Sequence, residues 1–163
     1  MIEERTSLSE PGFLPSFEGF YRARWQQVYR AVAIGINDAD LAREAVDEAM
    51  VRAYERWRKV SGMTNPEGWV FRVAMNWATS RLRRRKLLLR SAEPISVSEI
   101  PDVADLRVVE AVRRLPPRQR DVVVARFILD MSEADTAQAL GIPRGTVKSR
   151  LSRGLSTLKE VLS

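Results

Sequence analysis

Two clusters of basic residues stand out in this chain because neither of them contains an acid. Residues 81–90 hold six cations and residues 143–153 hold four. Clustered lysine and arginine side chains neutralise phosphates, and the formal net charge of +6 also favours a polyanionic partner. A third cluster, residues 38–48, holds five acids and one cation. We therefore expect two contacts with nucleic acid and one contact with a different partner.

The side chains that most enzymes use are missing from the sequence. There is no cysteine and no histidine, which excludes thiolate nucleophiles, disulfides, the usual zinc ligands and the commonest general base at neutral pH. The carboxylates show no metal-binding spacing, so we expect no metal and no other cofactor. These absences predict that the protein is not an enzyme.

Targeting and membrane signals are also missing. The first residues carry acids and no apolar core of signal-peptide length. The longest apolar runs, such as residues 122–125, are far shorter than the ~20 residues that span a bilayer. We expect a cytoplasmic protein without membrane insertion.

Apolar residues recur at spacings of three and four along most of the chain, which predicts an all-α fold of two small domains. Residues 1–15 are expected to be a mobile tail, because two prolines and a glycine interrupt any helical period. A first domain should occupy residues 16–88, with helices from residue 16, over 38–59 and over 66–88. Prolines and serines in residues 89–103 indicate a flexible linker. Residues 104–163 should form the second domain.

The strongest local pattern lies at residues 130–153. Ser132 can cap a short helix with a narrow apolar face, and Gly141 allows a sharp turn after that helix. Pro143 can then begin a longer, basic helix. A short helix, a glycine turn and a longer basic helix form the arrangement of a DNA-binding helix-turn-helix.

The last helix separates into two stripes when its residues are projected at about 100° each. The apolar stripe, expected to face the domain core, comprises Val147, Leu151, Leu155, Leu158 and Leu162. The opposite stripe, which can donate hydrogen bonds to base edges or phosphates, comprises Lys148, Ser149, Ser152 and Arg153. Arg144, Gly145 and Thr146 lie at the N-terminus, where free amides favour a phosphate. A basic face alone would indicate only a solvated surface, but the neighbouring helix and turn favour DNA recognition.

Several segments resemble one bacterial family. LPPRQRDV at residues 115–122 and GIPRGTVKSRL at residues 141–151 resemble region 4 of extracytoplasmic-function (ECF) sigma factors, which belong to the sigma-70 family. EAVDEAM at residues 44–50, NPEGWVFRVAMN at 65–76 and LRRR at 82–85 resemble region 2. The resemblance covers residues 17–162 in the same order. It implies a sigma factor that binds core RNA polymerase and directs promoter recognition and transcription initiation.

The resemblance also implies roles for three groups of residues. Docking on the clamp coiled coil of core RNA polymerase is implied for Arg43, Glu44, Asp47 and Glu48. Capture of a flipped base and the adjacent phosphates of the minus-ten element is implied for Ser61, Gly62, Met63, Thr64, Asn65, Asn76, Arg81, Arg83 and Arg84. Contact with the minus-thirty-five element is implied for Arg144, Gly145, Thr146, Lys148, Ser149, Ser152 and Arg153, with Arg120 near its backbone. Because no sensory domain is visible, an anti-sigma factor is the expected regulator.

Two other functions remain open on the residues alone. A stand-alone helix-turn-helix regulator would bind its DNA site without polymerase, and its N-terminal half would dimerise or sense a ligand. A helical nuclease would need metal-binding acids beside a basic face, and the two basic clusters contain none. Trp69, Val73 and Trp77 could stack on bases, but their spacing of four is typical of core packing.

Overall fold

The computed structural model describes residues 16–88 and 105–163, and both stretches are helical. The N-terminal half comprises α1 (Phe17–Ile36), α2 (Ala39–Glu55), α3 (Trp57–Val60) and α4 (Pro66–Leu88). The C-terminal half comprises α5 (Leu106–Arg113), α6 (Pro117–Phe127), α7 (Glu133–Leu140) and α8 (Arg144–Leu162). These stretches contain no strand, which confirms the predicted all-α class. The predicted tail (1–15) and linker (89–103) lie outside the described residues.

Short polar side chains begin several of the helices. Ser16, Asp38 and Ser132 accept a backbone N–H at the N-termini of α1, α2 and α7. At Ser132 the donor is the amide of Asp135, 3.0 Å from the hydroxyl oxygen. Gly141 ends α7 in the left-handed conformation (φ 65°), which glycine adopts without strain because it has no Cβ. The predicted capped helix and glycine turn are both confirmed.

One helix is shorter than the sequence pattern predicted. The prediction was a single helix over residues 38–59, but α2 ends at Glu55 and α3 begins at Trp57. The break lies at Arg56, where φ is −115° and ψ is 24°. After this break, α3 buries Val60 and places the ring centroid of Trp57 5.5 Å from that of Phe17. Tertiary packing thus overrides the helical period, and the loop that follows comprises residues 61–65.

The core of the N-terminal half lies between α1, α2 and α4. The face of α2 that packs into it is fully or almost fully buried and consists of Ala42, Ala45, Val46, Ala49, Met50 and Ala53. Helical spacing predicts this stripe with Trp57 as its last member, but Trp57 lies on α3 and is only half-buried. Leu41, which the predicted stripe did not include, is buried as well. The small side chains let the neighbouring helices approach closely.

The C-terminal half packs α8 against α5, α6 and α7. Val147 and Leu158 on its apolar stripe are buried, and Leu151 and Leu162 are partly buried. Leu155 was predicted to face the core but is 39% exposed. It lies instead on an open apolar groove formed by α1, α5, α6 and α8. The stripe therefore serves both the core and this groove.

The two halves also pack against each other. The side-chain amide of Gln27 on α1 donates to the carbonyl oxygen of Ile128 at 2.8 Å. Met131, which follows α6, is buried, and its methyl group would lie 3.4 Å from a Cβ atom placed on Gly68 of α4. α4 also contacts α7, the first helix of the helix-turn-helix. No sequence pattern predicted this contact between the halves.

Candidate nucleic-acid and polymerase interfaces

α8 presents a continuous polar face at the surface. Lys148, Ser149, Ser152 and Arg153 are all exposed, while Val147 beside them is fully buried and holds the helix to the core. The face therefore carries two cations and two small hydroxyl side chains on a rigidly mounted helix. A helix of this kind can lie close to base edges in a major groove.

The N-terminus of α8 is open for an anion. Pro143 precedes the helix and makes no side-chain capping bond. Gly145 has open space where a Cβ atom would stand, whereas Thr146 is half-buried. First-turn amides without a capping side chain can donate to a phosphate, and a glycine lets that phosphate approach closely.

Glu133, in the first turn of α7, faces two of these cations. Its Oε2 lies 3.9 Å from Nη2 of Arg144 and 3.9 Å from Nζ of Lys148. Both cations are largely exposed, so the pairs are weak and a phosphate can replace the carboxylate. Helix α7 is thus positioned beside the same prospective DNA surface.

Arg120 differs from the other residues expected at the minus-thirty-five element. It is half-buried, and its Nη1 donates to the carbonyl oxygen of Arg113 at 2.8 Å. Burial lowers its pKa, while Asp121 acts in the opposite direction. Arg120 ties α6 to the end of α5, and this internal role is the one that the structure supports.

Six of the nine residues expected at the minus-ten element line two separate pockets, whereas Ser61, Gly62 and Arg83 line neither. One pocket is lined by Met63, Thr64, Asn65, Gly68, Trp69, Arg72, Asp135, Gln138 and Ala139. The other is lined by Arg52, Val73, Asn76, Trp77, Ser80, Arg81 and Arg84. Along α4, Asn76 is about 16 Å from Asn65 at ~1.5 Å per residue. The structure therefore does not bring Asn76 to the loop that was expected to share its base.

The loop pocket lies between the two halves, because α7 supplies part of its wall. Asn65 is partly committed to local structure: its Oδ1 accepts from the amide of Gly68 at 2.9 Å and so caps α4. Thr64 and Gly62 are exposed, whereas Ser61 and Met63 are half-buried. The groups that this loop offers to a ligand are therefore its exposed members and the amide nitrogen of Asn65.

The second pocket combines several donors with one aromatic ring. The guanidinium of Arg81 lies 4.5 Å from the ring centroid of Trp77, and Asn76 and Arg84 are exposed beside it. Trp69, Val73 and Trp77 all pack partly against the core, as their spacing predicted. A ring flanked by amide and guanidinium donors suits a nucleobase and its phosphate.

Two contributors to this pocket, Arg52 and Ser80, were not predicted from the sequence. Arg52 comes from α2, and only the packing of α2 on α4 brings it here. The cations of the basic cluster also differ in their contacts. The structure uses Arg85 for an ion pair with Asp38, which is 7% exposed; Nη1 and Oδ2 are 2.9 Å apart. No sequence spacing indicates a contact between residues so far apart along the chain.

Asp38 of the acidic cluster is buried, and the other acids of the cluster lie on the outer side of α2. Arg43, Glu44 and Asp47 are exposed and Glu48 is half-buried. Asp47 accepts from the indole N–H of Trp25 at 2.9 Å, and Glu48 pairs with Arg52 at 3.0 Å. These contacts fix the carboxylates on the side of the helix that faces away from the core.

No helix in the two described stretches is long and apolar enough to cross a membrane. Within residues 16–88 and 105–163, no three metal-ligating side chains are grouped as an ion would require.

Two helical domains, the second with an exposed basic recognition helix, define a DNA-binding transcription protein. Residues 105–158 match the family model "Sigma-70, region 4". The chain is 32% identical to the RNA polymerase sigma-E factor of Streptomyces coelicolor, with 93% of this chain and 88% of that protein aligned. It is 31% identical to the ECF RNA polymerase sigma factor SigM of Mycobacterium tuberculosis, over 90% of this chain and 77% of that protein.

A solved structure shares the fold. The sigma factor RpoE from Bartonella quintana, crystallised with the anti-sigma factor NepR, superposes with a TM-score of 0.73 at 23% identity, over 90% of this chain and 96% of that chain. The chain belongs to the ECF RNA polymerase sigma factors of the sigma-70 family. Such factors are not enzymes themselves; they bind core RNA polymerase and direct transcription initiation at specific promoters, which is the function of this protein.

Proposed function

We propose that this sigma factor divides promoter recognition among three surfaces. The exposed face of α8, with Lys148 and Arg153, reads the minus-thirty-five element. The loop of residues 61–65 and the pocket around Asn76 bind the melted minus-ten element. The acidic face of α2 docks on core RNA polymerase. The observation that carries most of this assignment is the exposed face of α8 between Lys148 and Arg153, which contains no acid and lies opposite the buried apolar stripe.

Recognition of the minus-thirty-five element is assigned to Arg144, Gly145, Thr146, Lys148, Ser149, Ser152 and Arg153. The side chains of α8 reach base edges, and the N-terminal amides hold a phosphate. Arg120 is left out of this set because its side chain is bonded within the domain.

Capture of the minus-ten element is assigned to both pockets of the N-terminal half. Asn76, Arg81 and Arg84 offer donors around the ring of Trp77, which suits an unpaired base with its phosphate. The loop pocket would take a neighbouring base once α7 has moved away from it. Arg83 is exposed on the same helix and would contact the adjacent strand.

The two halves must separate on the promoter. Elements centred about 25 base pairs apart are ~85 Å apart at ~3.4 Å per pair. A compact chain of this length has a radius of gyration of only ~15 Å. The packed arrangement therefore cannot reach both elements at once.

The separation can be measured directly because the chain has no native cysteine. Fluorophores on Glu55→Cys and Thr157→Cys should show high energy transfer in the free chain and low transfer in the promoter complex. Equal transfer efficiency in the two states would contradict the separation.

The docking assignment is tested by charge reversal. The double variant Asp47→Lys, Glu48→Lys should bind core RNA polymerase about 100-fold more weakly, since each reversal places a cation where the partner is basic. Glu160→Lys reverses an exposed acid on α8 and serves as the matched control. Run-off transcription should fall in parallel with binding, and helical circular dichroism should stay unchanged. Unaltered affinity of the double variant would show that another surface docks.

We also propose that the protein acts in the cytoplasm, with RNA polymerase, under control of an anti-sigma factor. The structural neighbour RpoE was solved with such a partner. The apolar groove between the halves, with Val108, Phe127 and Leu155 on its walls, is a suitable place for an apolar segment of that regulator.

A further inference from the structure

Glu133 lies against the basic N-terminal end of α8. It stands in the first turn of α7, and its Oε2 is 3.9 Å from Nη2 of Arg144 and 3.9 Å from Nζ of Lys148. The two cations are four residues apart on α8 and therefore share one side of that helix. Residues 143–153 contain no acid, so the negative charge beside these cations comes from α7.

The carboxylate of Glu133 is more restricted than the two cations that it contacts. Its side chain is 29% exposed, whereas the side chains of Arg144 and Lys148 are each 65% exposed. The cap of α7 is supplied by Ser132, whose hydroxyl accepts the amide of Asp135 at 3.0 Å. Lysine carries its charge on a flexible stem of four carbons. A nearby carboxylate on a neighbouring helix can therefore give that stem a direction.

The two cations differ in what DNA can offer them. Arg144 begins α8, beside amides that no side chain caps and beside the open space at Gly145. A phosphate held at these amides can replace the carboxylate at Arg144. Lys148 lies one turn further along, on the exposed face that can reach base edges. Its ammonium has three donors, so it can contact a base and the carboxylate together.

We propose that Glu133 is a positioning residue for duplex readout: it stays paired with Lys148 on the promoter and directs the ammonium to one base pair. This inference rests on the reading of the minus-thirty-five element by α8 proposed above. Bound DNA excludes water from the pair, which strengthens the attraction between its two charges. The carboxylate also cancels one positive charge and so weakens attraction to phosphates of any sequence. Both effects favour the correct element over other DNA.

The test uses Glu133→Gln in the full chain, bound to core RNA polymerase. Two DNA fragments are compared: a promoter on which this holoenzyme starts transcription, and the same fragment with a scrambled minus-thirty-five element. The ratio of the two affinities should fall about fivefold, because Lys148 loses its direction and the face gains charge. On the scrambled fragment, the slope of log affinity against log salt should steepen by about one.

Two further variants control this measurement. Glu160→Gln removes an exposed acid from the far end of α8 and changes the net charge equally, so it should leave the ratio unchanged. Lys148→Ala should itself lower the ratio. In the Lys148→Ala background, Glu133→Gln should lower the ratio no further, because the side chain that it directs is gone.

Each outcome decides the inference. An unchanged ratio for Glu133→Gln, with both affinities constant or shifted by one factor, would overturn it, because effects of charge or folding alone act on both fragments alike. A fall that Glu160→Gln reproduces, or that persists in the Lys148→Ala background, would overturn it too. If Lys148→Ala keeps the full ratio, the readout proposed for Lys148 fails and the inference fails with it. A fall that is specific to Glu133→Gln and depends on Lys148 supports it.

Discussion

The two halves of the chain position their candidate nucleic-acid-binding residues in different ways. In the C-terminal half, a single helix carries them all between Arg144 and Arg153. In the N-terminal half they come from α2, from the loop of residues 61–65 and from α4, and they separate into two pockets. A major groove admits one helix, so one helix suffices to read duplex DNA. An extruded base must be enclosed on several sides, and this requires more than one element.

The difference sets how each half should respond to substitution. A face on one helix works as a set of separate contacts, and loss of one contact leaves the others in place. A pocket built from α2 and α4 depends on their packing, because Arg52 reaches it only across that interface. A substitution in the N-terminal half should therefore change both the binding of DNA and the positions of the other residues that line the pocket.

The largest effect is expected on α8. Removal of a good base contact costs about 1–3 kcal/mol, so Lys148→Ala with Arg153→Ala should lower transcription from a promoter that needs its minus-thirty-five element by ~100-fold or more. Lys159→Ala removes an exposed cation one turn from the end of α8 and should have little effect. Run-off transcription with core RNA polymerase measures both. Full activity of the double variant would mean that the C-terminal half does not read DNA through this helix.

An intermediate effect is expected in the N-terminal half, and it separates the two pockets. Asn76→Ala should lower promoter opening about tenfold on every promoter, because the pocket around Trp77 loses an amide donor and acceptor. Replacement of residues 61–64 by the loop of a related sigma factor should instead change which minus-ten base is preferred. Permanganate footprinting detects both results. Opening of the original promoters with the same base preference would make the loop a simple connector.

The smallest effect concerns the boundary between the halves. Asp121 on α6 lies beside α1, where its Oδ1 would be 3.9 Å from a Cβ atom on Gly35. Burial raises the pKa of Asp121 to about 6, against the opposing influence of Arg120 and Arg150. The native chain thus holds this proton more tightly than the unfolded chain. The stability that this group contributes is fully present below its ordinary pKa of 3.8 and is lost as pH rises through about 6.

Asp121→Asn should therefore raise Tm at pH 7.5 by an amount equivalent to about 1–2 kcal/mol, and the gain should shrink at pH 5. Thermal unfolding of both chains across this range provides the measurement. A gain of equal size at pH 5 and pH 7.5 would show that the buried carboxyl does not titrate in this window.

Sequence patterns predicted the local structure well because the signals are local. Ser132, Gly141 and the stripe of α8 specify a cap, a turn and a buried face within a few residues of one another. The structure confirms the cap and the turn, and it confirms the buried face except at the exposed Leu155. The helix over residues 38–59 was predicted too long, because the break at Arg56 follows from the packing of Trp57 on α1. Periodicity describes one helix at a time and carries no information about a neighbour's side chains.

The sequence by itself determined the helical class, the charge of each surface, the helix-turn-helix and the resemblance to ECF sigma factors. The tertiary structure alone decided that Asn76 and the loop of residues 61–65 line different pockets. It also decided that Arg52 lines the pocket that contains Asn76. It further decided that Arg85 pairs with Asp38 and that Arg120 bonds to the carbonyl oxygen of Arg113. The physical reason is that the spacing along a helix fixes a residue's direction, whereas its partner depends on which other helix packs there.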